Sequence, residues 1–174
     1  MNLREQLSNA MQGNVVVMGI GNPCCGDDAA GSRVAQQICG APGVRVIDAQ
    51  DVPENYLGQV MDQRPDTILL IDCVDMKSAP GSVALFDEDR TTAYWPSTHR
   101  VPVCQLVDYL ERTTNVRIFL IAIQPHHTGF LQPMSVEVLS SVEVITDVLN
   151  EVVEMRRMSA GAECASPLKG RVPA

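Results

Sequence analysis

The stretch VVVMGIGNPCCGDDAAGSRVAQQI, from Val15 to Ile38, contains the features that decide the fold class of this chain. It opens with a short β-rich apolar run that ends at a glycine, which is typical of a buried parallel strand. A glycine-containing loop follows and ends in two adjacent aspartates, Asp27 and Asp28. A helix is predicted from residue 29 to 39, with Val34 and Ile38 on its inner face. This order of strand, loop and helix is typical of α/β proteins.

The rest of the chain continues the alternation of strands and helices. Further strands are predicted at 44–48, 66–75, 81–87 and 116–123, and further helices at 53–63, 100–112 and 135–155. The strand at 66–75 is the most hydrophobic, so we expect it at the centre of the sheet. Too few residues separate it from the next strand for a parallel crossover, so the strand at 81–87 should be antiparallel. The sequence therefore predicts an α/β three-layer sandwich, with a twisted five-stranded mostly parallel sheet, one antiparallel strand and helices on both faces.

The length and the cysteine content fit one domain in a reducing compartment. At 174 residues the chain is long enough for a single core. We expect one domain over residues 1–155 and a mobile tail over 156–174, because the tail has no apolar periodicity. None of the six cysteines forms a C-x-x-C pair. We interpret Cys39, Cys73 and Cys104 as small core residues.

Charge and hydropathy exclude several classes of partner. The net charge is −8, whereas nucleic-acid binding needs a basic surface. No apolar run approaches the ~20 residues of a membrane helix, and the first residues lack the apolar segment of a signal peptide. We therefore expect a cytoplasmic protein that binds neither nucleic acid nor membrane, and we expect a monomer. The glycines at 19, 21 and 26 do not have the dinucleotide-binding spacing, and two carboxylates follow where phosphates would bind.

Acidic residues collect where the predicted parallel strands end. Asp28 follows the first strand, Asp72 ends the third, and His99 precedes the helix that begins at the same edge. A carboxyl group in a strand as apolar as that of Asp72 is costly to bury without a partner. Two carboxylates and an imidazole suit a divalent cation with coordination positions left for water or substrate. The alternative for Asp27 or Asp28 is a helix cap, and the alternative for His99 is a surface histidine.

Four motifs, taken in order, resemble those of the [NiFe] hydrogenase maturation endopeptidases. They are GIGNPCCGDDAAG, LLIDCVDM with a following PG, STH, and IQP with later GF and P-x-S residues, and together they extend from about residue 15 to 153. Members of this family have a doubly wound, mostly parallel sheet with one antiparallel strand. They remove a C-terminal extension from the hydrogenase large-subunit precursor after nickel has been inserted. One departure is Ala29, where family members often have glycine.

The resemblance implies a site and a substrate. The metal-binding and catalytic positions of the family correspond to Asp28, Asp72 and His99 in this chain. Nickel, carried by the precursor, or another divalent cation at the same site would be the metal. Asp27 is then better interpreted as a helix cap or as a group behind the metal ligands. The segment 48–55 overhangs the same edge, so it is a candidate for selecting the precursor.

Several alternatives remain open at the level of the sequence. No Ser-His-Asp or Cys-His nucleophile pattern is present, so water activated by a metal and an aspartic-protease scheme with Asp28 and Asp72 sharing a proton are both possible mechanisms. Cys24 and Cys25 are candidate nickel ligands. His126 and His127 either contribute to metal delivery or lie in a solvated loop. A nickel-binding chaperone that does not cleave its partner would use the same residues.

Overall fold

A computed structural model describes residues 2–87 and 101–164. Its five strands form one sheet in the order β2-β1-β3-β5-β4. The strand bounds are β1 (Val15–Ile20), β2 (Val44–Gln50), β3 (Thr67–Cys73), β4 (Val83–Phe86) and β5 (Arg117–Ile123). β1 pairs in parallel with β2 and β3, β3 pairs in parallel with β5, and β4 is antiparallel to β5. The predicted central position of β3 and the single antiparallel strand are confirmed.

Helices cover both faces of this sheet. Their bounds are α1 (Leu3–Ala10), α2 (Ala30–Gln37), α3 (Leu57–Asp62), α4 (Val101–Thr113) and α5 (Val136–Cys164), and short 3-10 turns at Gly26–Ala29 and Pro53–Tyr56 precede α2 and α3. No helix in the described part of the chain is both long and apolar enough to span a membrane.

The alternation of side chains along each strand creates two cores. Val15 and Val17 point to the face covered by α1, α2 and α5, whereas Val16 and Met18 point to the face covered by α3 and α4. All four side chains are almost completely buried, as expected for parallel strands that are covered on both sides. The last helix contributes apolar side chains spaced three and four residues apart to the first of these cores, among them Val138, Val142 and Ile145.

Two helix predictions need correction. α1 was not predicted, although Asn2 and Glu5 form a capping box at its start and Leu7 is buried against the core. α5 does not end near residue 155 but continues to Cys164, so residues 156–164 are helical rather than a tail. Arg156 donates hydrogen bonds to the carbonyls of Met11 and Gly13, which attaches this part of α5 to the segment before β1. Residues 165–174 lie outside the described residues, and their mobility stays a prediction.

The carboxyl ends of β1, β2 and β3 meet at one edge of the sheet, which we call the carboxyl edge. β5 starts opposite the amino end of β3, so α4, which precedes β5, ends at the opposite edge and begins near the carboxyl edge. The packing of α4 against the turn at Pro53–Tyr56, which follows β2, agrees with this direction. His99 and the predicted loop 88–98 lie outside the described residues.

Candidate active site at the carboxyl edge

The turn after β1 is shaped to place Asp28 at the carboxyl edge. Gly21 has a φ of +145°, and a Cβ atom at this position would lie 1.9 Å from the carbonyl oxygen of Asp28. Only glycine allows this backbone conformation and this close approach. The backbone N–H of Gly21 donates to the carbonyl of Gln50 at 2.8 Å, which ties the turn to the end of β2.

Asn22 fixes the orientation of the Asp28 carboxylate. Its backbone N–H donates to Oδ2 of Asp28 at 3.0 Å, and its side-chain amide donates to Oδ2 of Asp51 at 3.2 Å. Its Oδ1 accepts the N–H of Cys24 at 2.9 Å, a local turn that asparagine commonly forms. Asp28 is only 8% exposed, so it faces the edge from a nearly buried position.

Asp72 is a buried carboxyl group of which only one oxygen accepts a hydrogen bond from the described residues. It is 0% exposed, and its Oδ1 accepts the N–H of Cys73 at 2.8 Å. Its Oδ2 is buried without a hydrogen-bond partner among the described residues. Burial raises the pKa of Asp72 to about 8, against a smaller lowering by the Cys73 hydrogen bond. A carboxyl group in this state is prepared to hold a proton or a cation.

The first turn of α2 brings Asp28 and Asp72 to the same place. A Cβ atom at Gly31 would lie 2.1 Å from the carbonyl oxygen of Ile71 and 2.3 Å from that of Ile20. The backbone of α2 therefore packs directly on the ends of both β1 and β3. Since Asp28 precedes this contact by less than one helical turn and Asp72 follows Ile71, the two carboxyl groups lie at neighbouring strand ends, as the sequence predicted.

Of the two roles expected for Asp27, a helix cap or a group behind the metal ligands, the cap is not found, because neither the 3-10 turn nor α2 has a side-chain cap. The buried carboxylate of Asp27 accepts hydrogen bonds from the N–H groups of His126, His127 and Ser135 and from the Ser135 hydroxyl, at 2.6 to 3.0 Å. Burial raises the pKa of Asp27, but these hydrogen bonds together lower it below its usual value. Asp27 therefore anchors the loop that follows β5 beside Asp28.

Gln124 supports the loop that follows Asp72, a role that the sequence analysis missed. Its Oε1 accepts the N–H groups of Met76 and Ser78 at 2.6 and 3.2 Å, and its Nε2 donates to Oδ1 of Asp75 at 3.2 Å. A hydrogen bond from the Lys77 side chain, with further bonds from the Lys77 backbone and Gln124, lowers the pKa of Asp75 to about 2. The signal in the sequence was a glutamine directly after an apolar strand, in the IQP motif.

The cysteines are distributed differently from the prediction. Cys73 is buried as expected, and burial raises the pKa of its thiol. Cys39 is exposed, so its assignment to the core was wrong; it follows Ile38, where the chain leaves the helix in an extended conformation. Cys24 is exposed and Cys25 is half-buried. The side chain of Cys104 is outside the described set.

The histidines of the loop after β5 lie next to the Asp27–Asp28 pair. His126 is exposed, with Nδ1 3.8 Å from Oε2 of Glu137. The His127 ring packs on Gly26: a Cβ atom added at Gly26 would lie only 3.0 Å from Nδ1 of His127. Within residues 2–87 and 101–164, no three histidine, cysteine or acidic side chains are placed to hold a metal ion together. Asp28 and Asp72 would therefore need a further ligand, and His99 is the candidate from the sequence.

Comparison with known proteins identifies the family of this chain. The family described as HycI, hydrogenase maturation protease, matches residues 31–153. The hydrogenase 3 maturation protease of Escherichia coli K12 is 34% identical over 133 residues, which cover 75% of this chain and 85% of that protein.

Two solved structures of such proteins have the same fold. One is the crystal structure of a [NiFe] hydrogenase maturation protease, HycI, from Thermococcus kodakarensis, with a TM-score of 0.76, 27% identity, and coverage of 86% of this chain and 99% of that one. The other is the solution structure of the endopeptidase HycI from Escherichia coli, with a TM-score of 0.68, 30% identity, and coverage of 79% and 90%. This chain therefore belongs to the hydrogenase maturation protease family and is a hydrolase of the endopeptidase type.

Proposed function

We propose that this protease removes the C-terminal extension of a [NiFe] hydrogenase large-subunit precursor that already contains nickel, and that it does so at Asp28 and Asp72. The observation that carries the proposal is the buried Asp72 carboxyl group, whose Oδ2 has no partner among the described residues although it lies at the edge where Asp28 is held. Burying a carboxyl group without a partner is unfavourable, so a binding role explains why it is there.

The residues fit a divalent cation, which the precursor would bring as nickel. Asp28 offers a carboxylate held by Asn22, and Asp72 offers an oxygen that has no hydrogen-bond partner within residues 2–87 and 101–164. His99, by the resemblance, would add an imidazole. When bound, such an ion polarises a scissile carbonyl or lowers the pKa of a water molecule. The same residues would hold another divalent cation if the precursor brought none.

The chain's own groups also support a scheme in which Asp72 holds a proton. A carboxyl group with a pKa of about 8 is largely protonated at neutral pH, so Asp72 can donate a hydrogen bond to a substrate carbonyl. The Cys73 N–H keeps its other oxygen in place. This aspartyl scheme is the second candidate mechanism, and the raised pKa of Asp72 is the observation that favours it.

The end of β2 is the candidate region for choosing the precursor. The segment 48–55 comprises the last three residues of β2 and the first residues after it, at the carboxyl edge. Within it, Asp51 accepts a hydrogen bond from the side chain of Asn22, and the backbone N–H of Asn22 donates to Asp28. A precursor that contacts this segment would therefore contact a direct neighbour of Asp28. We further propose that the protein acts as a monomer in the cytoplasm.

The experiment is a mass measurement of a nickel-loaded precursor before and after incubation with the protein. Wild-type protein should shorten it, whereas Asp28→Asn and Asp72→Asn should cleave at least about a hundredfold more slowly. Asp62→Asn, the same change at an exposed position on α3, is the matched control and should cleave normally. Normal cleavage by Asp72→Asn would remove that residue from the mechanism. Binding without shortening would favour the chaperone alternative, which the names of the relatives do not favour.

A further inference from the structure

The loop over residues 125–135, between β5 and α5, exposes large apolar side chains beside the candidate active site. Phe130 is 71% exposed and Leu131 is 75% exposed, and Val136 directly after the loop is 76% exposed. These three are the most exposed of the large hydrophobic side chains in the described part of the chain. Single exposed apolar residues are common, but three within seven residues of the chain, on and directly after a loop bound to Asp27, indicate contact with a partner.

The loop is held in one conformation rather than hanging free. Asp27 binds the N–H groups of His126, His127 and Ser135, so it fixes both ends of the loop. At the tip, the Leu131 N–H donates to the carbonyl of Cys24 at 2.7 Å. Leu131 has a φ of +56°, a conformation that is unfavourable for leucine and is tolerated where surrounding contacts impose it. The apolar tip is therefore presented by a rigid support.

A groove extends from this loop toward the Asp27–Asp28 turn. It has a volume of about 310 Å³, near the lower limit of ligand clefts. Loop residues 132–134 form one side, Gly26 and Ala29 of the 3-10 turn form another, and Leu139 of α5 contributes apolar surface. Arg33 also lines it, and no described acidic side chain does. The groove thus combines apolar surface with one cation, at a place that adjoins Asp28.

We propose that Phe130, Leu131 and Val136, with the adjoining groove, bind the large-subunit precursor through the chain segment next to its scissile bond. This inference rests on the proposed function. Gly26 and Ala29, which flank the Asp27–Asp28 pair in the 3-10 turn, both line the groove, so a chain segment bound there lies next to the turn that holds Asp28. Continuity with the cleavage site thus argues for the precursor as the occupant. An anionic membrane is disfavoured by the net charge of −8.

The test variant is the double substitution Phe130→Ser and Leu131→Asn. Serine removes the aromatic ring, and asparagine is a residue that accepts a positive φ, so the loop should keep its conformation. The matched control is Met158→Ser, since Met158 is 67% exposed on α5 close to Arg156, which binds the segment before β1 at the opposite edge. The melting temperatures of all proteins should agree within measurement error.

Two quantities are measured with nickel-loaded precursor: its Kd for each protein, and the kcat and KM of cleavage. For the double variant we expect a Kd and a KM raised about tenfold or more with kcat unchanged, and wild-type values for Met158→Ser. An unchanged Kd, or a lower kcat with unchanged KM, would overturn the inference. A wild-type protein that binds through this surface without cleaving would contradict the proposed function and leave the inference standing.

The oligomeric state of the protein tests whether this surface binds the precursor or a second copy of the chain. Sedimentation of the wild-type protein and of the double variant should give the same monomeric mass. A wild-type dimer that the double variant converts to monomers would mean that the surface pairs two copies of this chain, which would overturn the assignment to the precursor.

Discussion

The Asp72 carboxyl group is buried with one oxygen unpaired among the described residues, and this state makes the stability of the metal-free protein depend on pH. The pKa of Asp72 is about 8 in the fold against an ordinary value of 3.8. Between these values the unfolded chain releases a proton that the folded chain keeps, so the free energy of unfolding falls as the pH rises. The neutral amide of Asp72→Asn avoids this loss.

We therefore predict that Asp72→Asn gains stability over wild-type protein as the pH rises from 5 to 8.5. In the presence of a chelator, the difference in melting temperature should grow by at least about 3 °C across this range. Thermal unfolding followed by circular dichroism measures it, and Asp62→Asn provides the baseline. A difference that is independent of pH would contradict the raised pKa.

The hydrogen bonds that the Asp27 carboxylate accepts lead to a second prediction about a single residue. In Asp27→Asn the amide must place its NH₂ group against a backbone N–H whichever way it is turned, because both carboxylate oxygens of Asp27 accept such donors. We expect a loss of about 2–3 kcal/mol in the free energy of unfolding, with faster hydrogen exchange at the amides of residues 126, 127 and 135. Ser135→Ala keeps the backbone donors of Asp27 and removes only the hydroxyl, which donates to Asp27 and accepts the N–H of Val138 at 3.4 Å, so it should lose about 1 kcal/mol.

The sign of the pH dependence also distinguishes Asp27 from Asp72. Hydrogen bonds lower the pKa of Asp27, so its contribution is present above the ordinary value of 3.8 and is lost as the pH falls through the lower pKa of the fold. The stability difference between wild type and Asp27→Asn should therefore shrink in acid. A constant difference down to pH 2.5 would show that the carboxylate is not what anchors the loop.

At the scale of elements, Gln124 connects β5 to the loop after β3. In Gln124→Leu the side chain keeps a similar size but accepts no hydrogen bond from Met76 or Ser78. We predict a loss of about 2 kcal/mol in stability and at least a tenfold lower kcat, because the loop next to Asp72 loses its support. Gln37→Leu, at an exposed position on α2, should match wild type in both measurements.

Some strands and helices of the fold could be predicted from the sequence and others could not. The apolar runs of β1, β3 and β5 identify these strands, since their length and composition suffice for a buried parallel sheet. α1 was missed because a helix of only eight residues has a weak periodic signal, and its burial depends on packing against α5. The end of α5 was placed too early because the apolar periodicity of the sequence stops there. The part of the helix that begins at Arg156 is instead held by hydrogen bonds to carbonyls far away in the sequence.

The positions of the two candidate carboxyl groups could be predicted because they depend on strand ends, whereas contacts between distant parts of the chain could not be predicted. Asp28 and Asp72 could be placed at the carboxyl edge because parallel strands end together there. The partners of Asp27 are about a hundred residues away along the chain, and no spacing rule connects them. The role of His99 stays a prediction, because it lies outside the described residues.

On the scale of the whole molecule, unusual backbone geometry is concentrated at the carboxyl edge. Among described residues other than glycine, those with positive φ are Gln50, Arg64, Lys77 and Leu131. Three of them, Gln50, Lys77 and Leu131, lie at or after the carboxyl ends of β2, β3 and β5. Strained conformations persist where the surrounding structure imposes them, and they are common at functional sites. Their distribution marks the same edge as the two carboxyl groups.

The central claim is that Asp28 and Asp72 act on a precursor that brings its own nickel. Two carboxylates and one imidazole leave coordination positions empty, so the isolated protein should hold a metal ion weakly. The most direct measurement is mass spectrometry of large-subunit precursor, prepared with and without nickel, after incubation with the purified protein. We predict that only nickel-loaded precursor is shortened and that adding nickel to the protease alone does not restore cleavage of the nickel-free form. Equal cleavage of both precursors would contradict this account and favour the metal-independent aspartyl scheme.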